Sequence, residues 1–262
     1  MKSRSVALLL GFSAALGCLS AQQAANPNAL RVIASNGIRE VLNETRPKAE
    51  TAVGKPLAIE YNSSNAQVDR IEKGADFDVA VLTSDTIDDL INKGKIVSGT
   101  RTLLARAGIG VGVRKGAAKP DISSGEAIKK ALLAAKTVTY AQDGASRVHV
   151  EMMFGRLGIT QEMAAKTRLE QGSTRAAAQV AAGHADMILT LISEILPAEG
   201  VALVGPLPAE YQYYVDFAAG IGVKAKRADA GKALIHFLAS PEATAMLAPK
   251  GMEPPRGQPA GK

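Results

Sequence analysis

Four short stretches of small hydrogen-bonding residues stand where chemistry could occur: Ser35-Asn36-Gly37, Asn62-Ser63-Ser64-Asn65, Gly144-Ala145-Ser146 and Gly172-Ser173-Thr174. Each precedes a helical pattern. A helix N-terminus presents unpaired N–H groups at the positive end of its dipole, so such turns can hold an anion with neutral donors. Ser, Thr and Asn are also the ordinary N-caps, and one cap explains a single turn without any ligand. The second turn exceeds that need, because one side chain can cap the helix while its neighbours keep a donor free. Arg147 follows the third turn and Arg175 the fourth. A guanidinium pairs bidentately with a carboxylate, which favours a di- or tricarboxylate over a spherical oxyanion bound by amides.

Other chemistry finds little support. Cys18 is the only cysteine and lies in the first 25 residues, so the rest of the chain has no disulfide, thiolate nucleophile or Cys-based metal site. His149, His184 and His236 lack metal-ligand spacing and read as surface or satisfied core residues. Asp76 and Asp78 read as turn residues, Glu194 as structural, and Met152, Met153 and Met163 as core or filler. The chain contains no G-x-S-x-G, H-E-x-x-H or Walker pattern, so neither a catalytic residue, a metal cation nor a cofactor is expected. The net charge of +6 falls to +4 once Lys2 and Arg4 are set aside, and the basic residues are interleaved with acids. With five Tyr, five Phe and no Trp, that excludes nucleic acid as an expected partner.

The elements that must position the turns follow from periodicity. From residue 29, short apolar runs alternate with amphipathic stretches, the pattern of parallel strands joined by crossover helices in an α/β fold. Strands are expected at 31–34, 57–61 and 78–82, with helices after each; Pro47 is expected to kink or end the first helix. The alternating glycines from Gly108 to Val113 suit a strand close to another backbone, and the first passage between two lobes is placed there. Helices at 125–135, 146–157 and 174–182 and strands at 137–141, 168–171 and 186–192 follow. A long apolar strand near Tyr213–Val223 returns the chain, and Ser240-Pro241 opens a last helix. Residues 1–25 read as a signal peptide, with Lys2 and Arg4 before an apolar core too short to span a bilayer. Leu16-Gly17-Cys18 faintly resembles a lipoprotein box, weakened by Ala15 where a larger aliphatic is usual.

Ile33-Ala34-Ser35-Asn36-Gly37, Tyr61-Asn62-Ser63-Ser64, the run Gly74-Ala75-Asp76-Phe77-Asp78-Val79-Ala80-Val81, and Phe237–Ala243 followed by Lys250-Gly251-Met252 occur in a telling order. Together they resemble the molybdate-binding proteins of ATP-driven importers, within the wider group of type II periplasmic binding proteins. The resemblance implies two α/β lobes, two crossing strands as hinge, and a cleft that closes over one small anion. It also implies a periplasmic monomer that delivers its ligand to an ABC permease in the inner membrane. The lobes are expected at 29–108 with 218–253, and at 109–217, with 254–262 a disordered tail. The expected ligand-binding set is Ser35, Asn36, Ser63, Ser64, Ala145, Ser146, Arg147, Ser173 and Thr174. Eight charge-assisted hydrogen bonds at roughly 1.5 kcal/mol each supply about 12 kcal/mol, against about 8 needed for micromolar affinity.

The second lobe departs from the resemblance. Molybdate binders usually carry a Tyr two residues before a Ser-Asp pair, whereas this chain reads Leu191-Ile192-Ser193-Glu194, and Arg147 stands at a usually small position. Two ligand classes therefore remain, molybdate or tungstate and an organic polycarboxylate. Two alternatives to transport remain as well: an exported enzyme on the same scaffold, and a sensor that presents its closed form to a receptor kinase.

Overall fold

The computed structural model describes residues 26–256. The expected signal peptide, Cys18 and residues 257–262 of the expected tail lie outside the described residues. Among the described residues the strands are β1 (Leu30–Ser35), β2 (Leu57–Asn62), β3 (Val79–Thr83), β4 (Thr102–Arg114), β5 (Val138–Ala141), β6 (Thr167–Glu170), β7 (Met187–Leu191), β8 (Val201–Pro206) and β9 (Tyr214–Ile221). The helices are α1 (Arg39–Val53), α2 (Ser64–Glu72), α3 (Ser84–Asn92), α4 (Gly125–Ala134), α5 (Arg147–Leu157), α6 (Thr160–Lys166), α7 (Ser173–Ala181), α8 (Ile192–Ile195), α9 (Ala228–Leu238) and α10 (Pro241–Thr244).

β1 lies between β2 and β3, parallel to both, and β9 joins β3 antiparallel. β9 also pairs with the first half of β4, from Thr102 to Gly108, and closes the first sheet. The second half of β4 belongs elsewhere: it pairs with β7 and β8, and β7 leads on to β5 and β6, which are parallel to each other. β4 is therefore one long strand that serves two sheets, and the molecule is a two-lobed α/β structure. Tyr214–Ile221 pairs within the first sheet on both sides of the 217/218 boundary read from the sequence. Both sheets are covered by helices, which is why β3 and β7 are buried at every position and read as continuous apolar runs.

The return passage is clamped. The Gln212 side chain accepts from Ile109 N and donates to Ile109 O, both at 2.9 Å, so an amide side chain takes the part of a strand residue beside β4. The glycines of β4 answer to crowding. A Cβ at Gly110 would stand 2.8 Å from Ile192 Cγ1 and 3.1 Å from the Gly205 carbonyl oxygen, and one at Gly112 would stand 2.8 Å from Ile188.

Of the two outcomes expected at Pro47, a kink or an early end, the second is excluded. α1 does not end at Pro47 but runs to Val53, where Gly54 caps it at φ 68°. Pro47 and Asn43, whose carbonyl loses its intrahelical donor, both lie on the exposed face, where water replaces the lost bond. The chain just before the expected tail is held against β4. Arg106 and Glu253 exchange both backbone hydrogen bonds at 2.8 Å, their side chains form an ion pair at 2.6 Å, and Pro255 is buried.

Candidate functional site

Register brings the four turns together. Ser35 pairs with Asn62 at the ends of β1 and β2, so the first and second turns are neighbours. Ala141 pairs with Glu170 at the ends of β5 and β6, which does the same for the third and fourth. The second and third turns face each other across the lobes, where Asn65 Nδ2 donates to Asp143 O at 3.4 Å, and the first turn meets α8, where Ser193 Oγ donates to Gly37 O at 2.7 Å. Gly37 is required here, because a Cβ would stand 2.5 Å from the Phe217 ring of β9 and 2.9 Å from Leu191.

The cleft holds two cavities. One of about 510 Å³ is lined by the second and third turns, including Ser64, Asn65, Ala145 and Arg147, with Thr83 and Ser84 at the head of α3 and Tyr213 from the return passage. The other, about 370 Å³, is lined by the first and fourth turns through Asn36, Ser173 and Thr174, together with Arg39, Ser193 and Glu194.

Several turn residues have definite partners. The Ser35 hydroxyl accepts from Gly37 N at 3.3 Å, and the Ser63 hydroxyl caps α2 by accepting from Ala66 N at 3.1 Å. Ser64 accepts from Thr83 N at 3.1 Å and so ties the second turn to the end of β3. The surplus residues of the second turn are thereby accounted for: Ser63 caps, Ser64 braces β3 and Asn65 reaches the other lobe. Ser146 is buried at the head of α5 and makes no side-chain cap there. Asp143 accepts from Gly172 N at 3.1 Å and links the third turn to the fourth. Arg147 faces the larger cavity but is engaged, donating to Glu151 at 2.8 Å and to Gln142 O at 3.0 Å. Arg175 is exposed and lines neither cavity.

Sequence reasoning missed Arg39, Glu194 and His149. Arg39 begins α1, half-buried; it donates to Asn36 Oδ1 at 2.6 Å and lies 4.8 Å over the Tyr61 ring. Its Nε is buried without a partner among the described residues. Tyr61, held by burial to a pKa of about 12, stays neutral beneath it. Glu194 is not merely structural. It lines the smaller cavity, and its carboxylate accepts from the Ser173 hydroxyl at 2.8 Å and from the Thr190 hydroxyl. Burial raises its pKa against the pull of those hydroxyls and of Leu191 N, and the charge of Asp143 adds to the rise. His149 lines the larger cavity, stacked on Tyr213 with ring centroids 3.3 Å apart, and burial lowers its pKa. The missed signal was general: Thr83-Ser84 and Leu191-Ile192-Ser193 also end apolar strands, as the four turns do. Asp78, by contrast, is buried and accepts from Arg31 N, Lys226 N and Arg227 N, which fixes it as a brace between β1 and the start of α9.

Helix N-termini from two lobes, facing across a cleft with a clamped hinge, define a type II periplasmic-binding-protein architecture. The chain belongs to the bacterial extracellular solute-binding protein family, whose profile matches residues 30–253. It is 30% identical over 236 residues to an aconitate isomerase from a Pseudomonas species, covering 88% of this chain and 89% of that protein. Among solved structures, the Azotobacter vinelandii periplasmic molybdate-binding protein superposes with a TM-score of 0.73 at 20% identity, covering 87% of this chain and all of that one (100%). The sulfate-binding protein SubI from Mycobacterium tuberculosis H37Rv gives 0.71 at 15% identity, covering 88% of each chain.

Proposed function

We propose that this chain is a periplasmic solute-binding protein that captures a small organic polycarboxylate between its lobes and presents the closed form to an ABC permease in the inner membrane. The carrying observation is the meeting of the four turns, two from each side, around one cleft. The lobes divide near Gly108 on the way out and near Tyr213 on the way back. Of the nine residues read from the sequence, Asn36, Ser64, Ala145, Arg147, Ser173 and Thr174 line the two cavities and make up the binding set with Arg39, whereas Ser35, Ser63 and Ser146 line neither and serve to shape the turns. Serine hydroxyls and helix N–H groups hold carboxylate oxygens, and the closed state is favoured because both lobes bond the same ligand.

Three features favour a polycarboxylate over molybdate or tungstate. Leu191 is buried where a tyrosine hydroxyl would be needed. Guanidinium groups face both cavities, matching an elongated anion with separated charges better than a sphere. The sequence relative is named for aconitate, a tricarboxylate. A thermal-shift panel of molybdate, tungstate, sulfate, citrate and trans-aconitate at pH 5 tests the reading. A ligand at 100 times its Kd adds about 2.7 kcal/mol of stability, so a tricarboxylate should raise the melting temperature by several degrees. A response to molybdate and tungstate with silence from both tricarboxylates overturns it.

A second reading, isomerisation of the bound acid, is favoured by the same relative. It predicts a new alkene signal when trans-aconitate is incubated with the protein and followed by proton NMR. An unchanged spectrum leaves binding alone.

A further inference from the structure

We propose that Glu194 decides what the fourth turn offers a bound anion: as a carboxylic acid it donates to Ser173 and frees that hydroxyl's proton for the ligand, so capture takes up one proton from solvent. The inference rests on the reading that the cleft captures an anion.

A serine hydroxyl has one proton and two lone pairs. With Glu194 ionised, Ser173 donates that proton to Oε1 at 2.8 Å, and Thr190 donates to the other oxygen. The smaller cavity then meets only lone pairs at Ser173, with a full negative charge behind them. An anion placed there is repelled twice. With Glu194 protonated, the same oxygen–oxygen contact is kept in reverse: the carboxyl O–H donates to Ser173 Oγ, and the serine proton turns toward the cavity. No heavy atom moves, and the only balance is one solvent proton taken up per ligand bound.

Charge of both signs surrounds Glu194, the Arg39 guanidinium favouring its ionised form and the neighbouring carboxylates favouring the acid. Arg39 and Glu40 from α1 and Glu199 beyond α8 line this cavity with Glu194, and Asp143 of the third turn adds like charge. Burial already holds the Glu194 carboxyl above the ordinary glutamate value. A bound anion pushes it further up, since two negative charges in one cavity disfavour each other. The sign follows by linkage. Ligand binding is strongest below the free-protein pKa of Glu194 and weakens as pH rises through it, approaching about tenfold per pH unit for one proton.

Calorimetry with citrate between pH 5 and 8, in two buffers of different ionisation enthalpy, measures both the affinity and the protons taken up. Citrate's own titration is common to all variants, so the readout is the difference between wild type and Glu194→Gln. The glutamine amide donates N–H to Ser173 as the acid does, but it does not titrate. It should hold its pH 5 affinity at pH 8 better than wild type and take up about one proton fewer per citrate. Equal slopes and equal uptake in the two proteins assign the linkage to another group, His149 first, and overturn the proposal. Carbon-13 NMR of the wild-type glutamate carboxyls gives a variant-free check: the Glu194 titration should move to higher pH when citrate binds, and a midpoint that stays or falls also overturns it. Citrate binding with an ionised Glu194 leaves anion capture standing. If neither citrate nor trans-aconitate binds at pH 5, polycarboxylate capture falls, and this inference with it.

Discussion

Two guanidinium groups face the cleft, and they differ in what already holds them. Arg147 gives its Nε to Glu151 and an Nη to Gln142 O, whereas Arg39 keeps a buried Nε hydrogen without a partner among the described residues. Arg39 also lines the smaller cavity, and a hydrogen bond from its guanidinium to a charged ligand group contributes roughly 1.5–3 kcal/mol. Arg39→Ala should therefore weaken polycarboxylate binding by about 10- to 150-fold, while Arg147→Ala, which must first be weighed against a lost Glu151 partner, should cost less than about tenfold. Calorimetry on the two variants decides the order, and an unchanged Kd for the Arg39 variant would remove this residue from the site. The serines were legible because a cap and a small-residue turn leave a local pattern. Arg39 was not, because its direction is set by the tight 3-10 turn Asn36–Ile38 and by Tyr61 of a neighbouring strand. Glu194 was not, because its neighbour Ser173 lies 21 residues away in sequence.

Elements of clear period were readable, and short or half-covered ones were not. β3 and β7 are buried at every position and apolar at all but one residue each, and α3 buries Ile87 and Leu90 on one face, so their patterns announce them. β8 is an edge strand with mostly half-buried residues, α6 buries only Met163, and α8 is four residues long. None of these offers enough alternation to set it apart from a loop. Periodicity also says nothing of how closely elements approach. The first turn can lie against β9 and β7 only because Gly37 has no side chain. Gly37→Ala puts a methyl into the Phe217 ring, and a buried aromatic in a packed interior moves only with its strand. Overpacking of this kind costs about 1–3 kcal/mol. Urea denaturation should show that loss at the first transition, together with weaker ligand binding, because the displaced Phe217 carries the return strand with it. A variant as stable as wild type would mean that this contact yields freely.

At the scale of the whole molecule, the hinge decides how much of the binding energy appears as affinity. β4 passes unbroken from one sheet to the other, and Gln212 clamps the return passage to Ile109, so the lobes can rotate without losing either sheet. Among the described residues, two hydrogen bonds join the two sides of the cleft at the turns. Asn65–Asp143 is long and exposed, and surface bonds of that kind contribute little, whereas Ser193–Gly37 is short and buried. A typical net contribution of about 1 kcal/mol makes the buried bond worth about fivefold in the balance of closed to open forms. Ser193→Ala should therefore enlarge the radius of gyration of the ligand-free protein in X-ray scattering, and saturating ligand should restore the wild-type value. If the ligand binds the closed form, the apparent Kd should rise by up to about fivefold, since apparent affinity scales with the fraction of binding-competent molecules. Asn65→Ala should leave both quantities near wild type. Were Asn65→Ala to open the protein and Ser193→Ala not, closure would be governed from the rim of the cleft, and the buried contact beside the hinge would be only a brace.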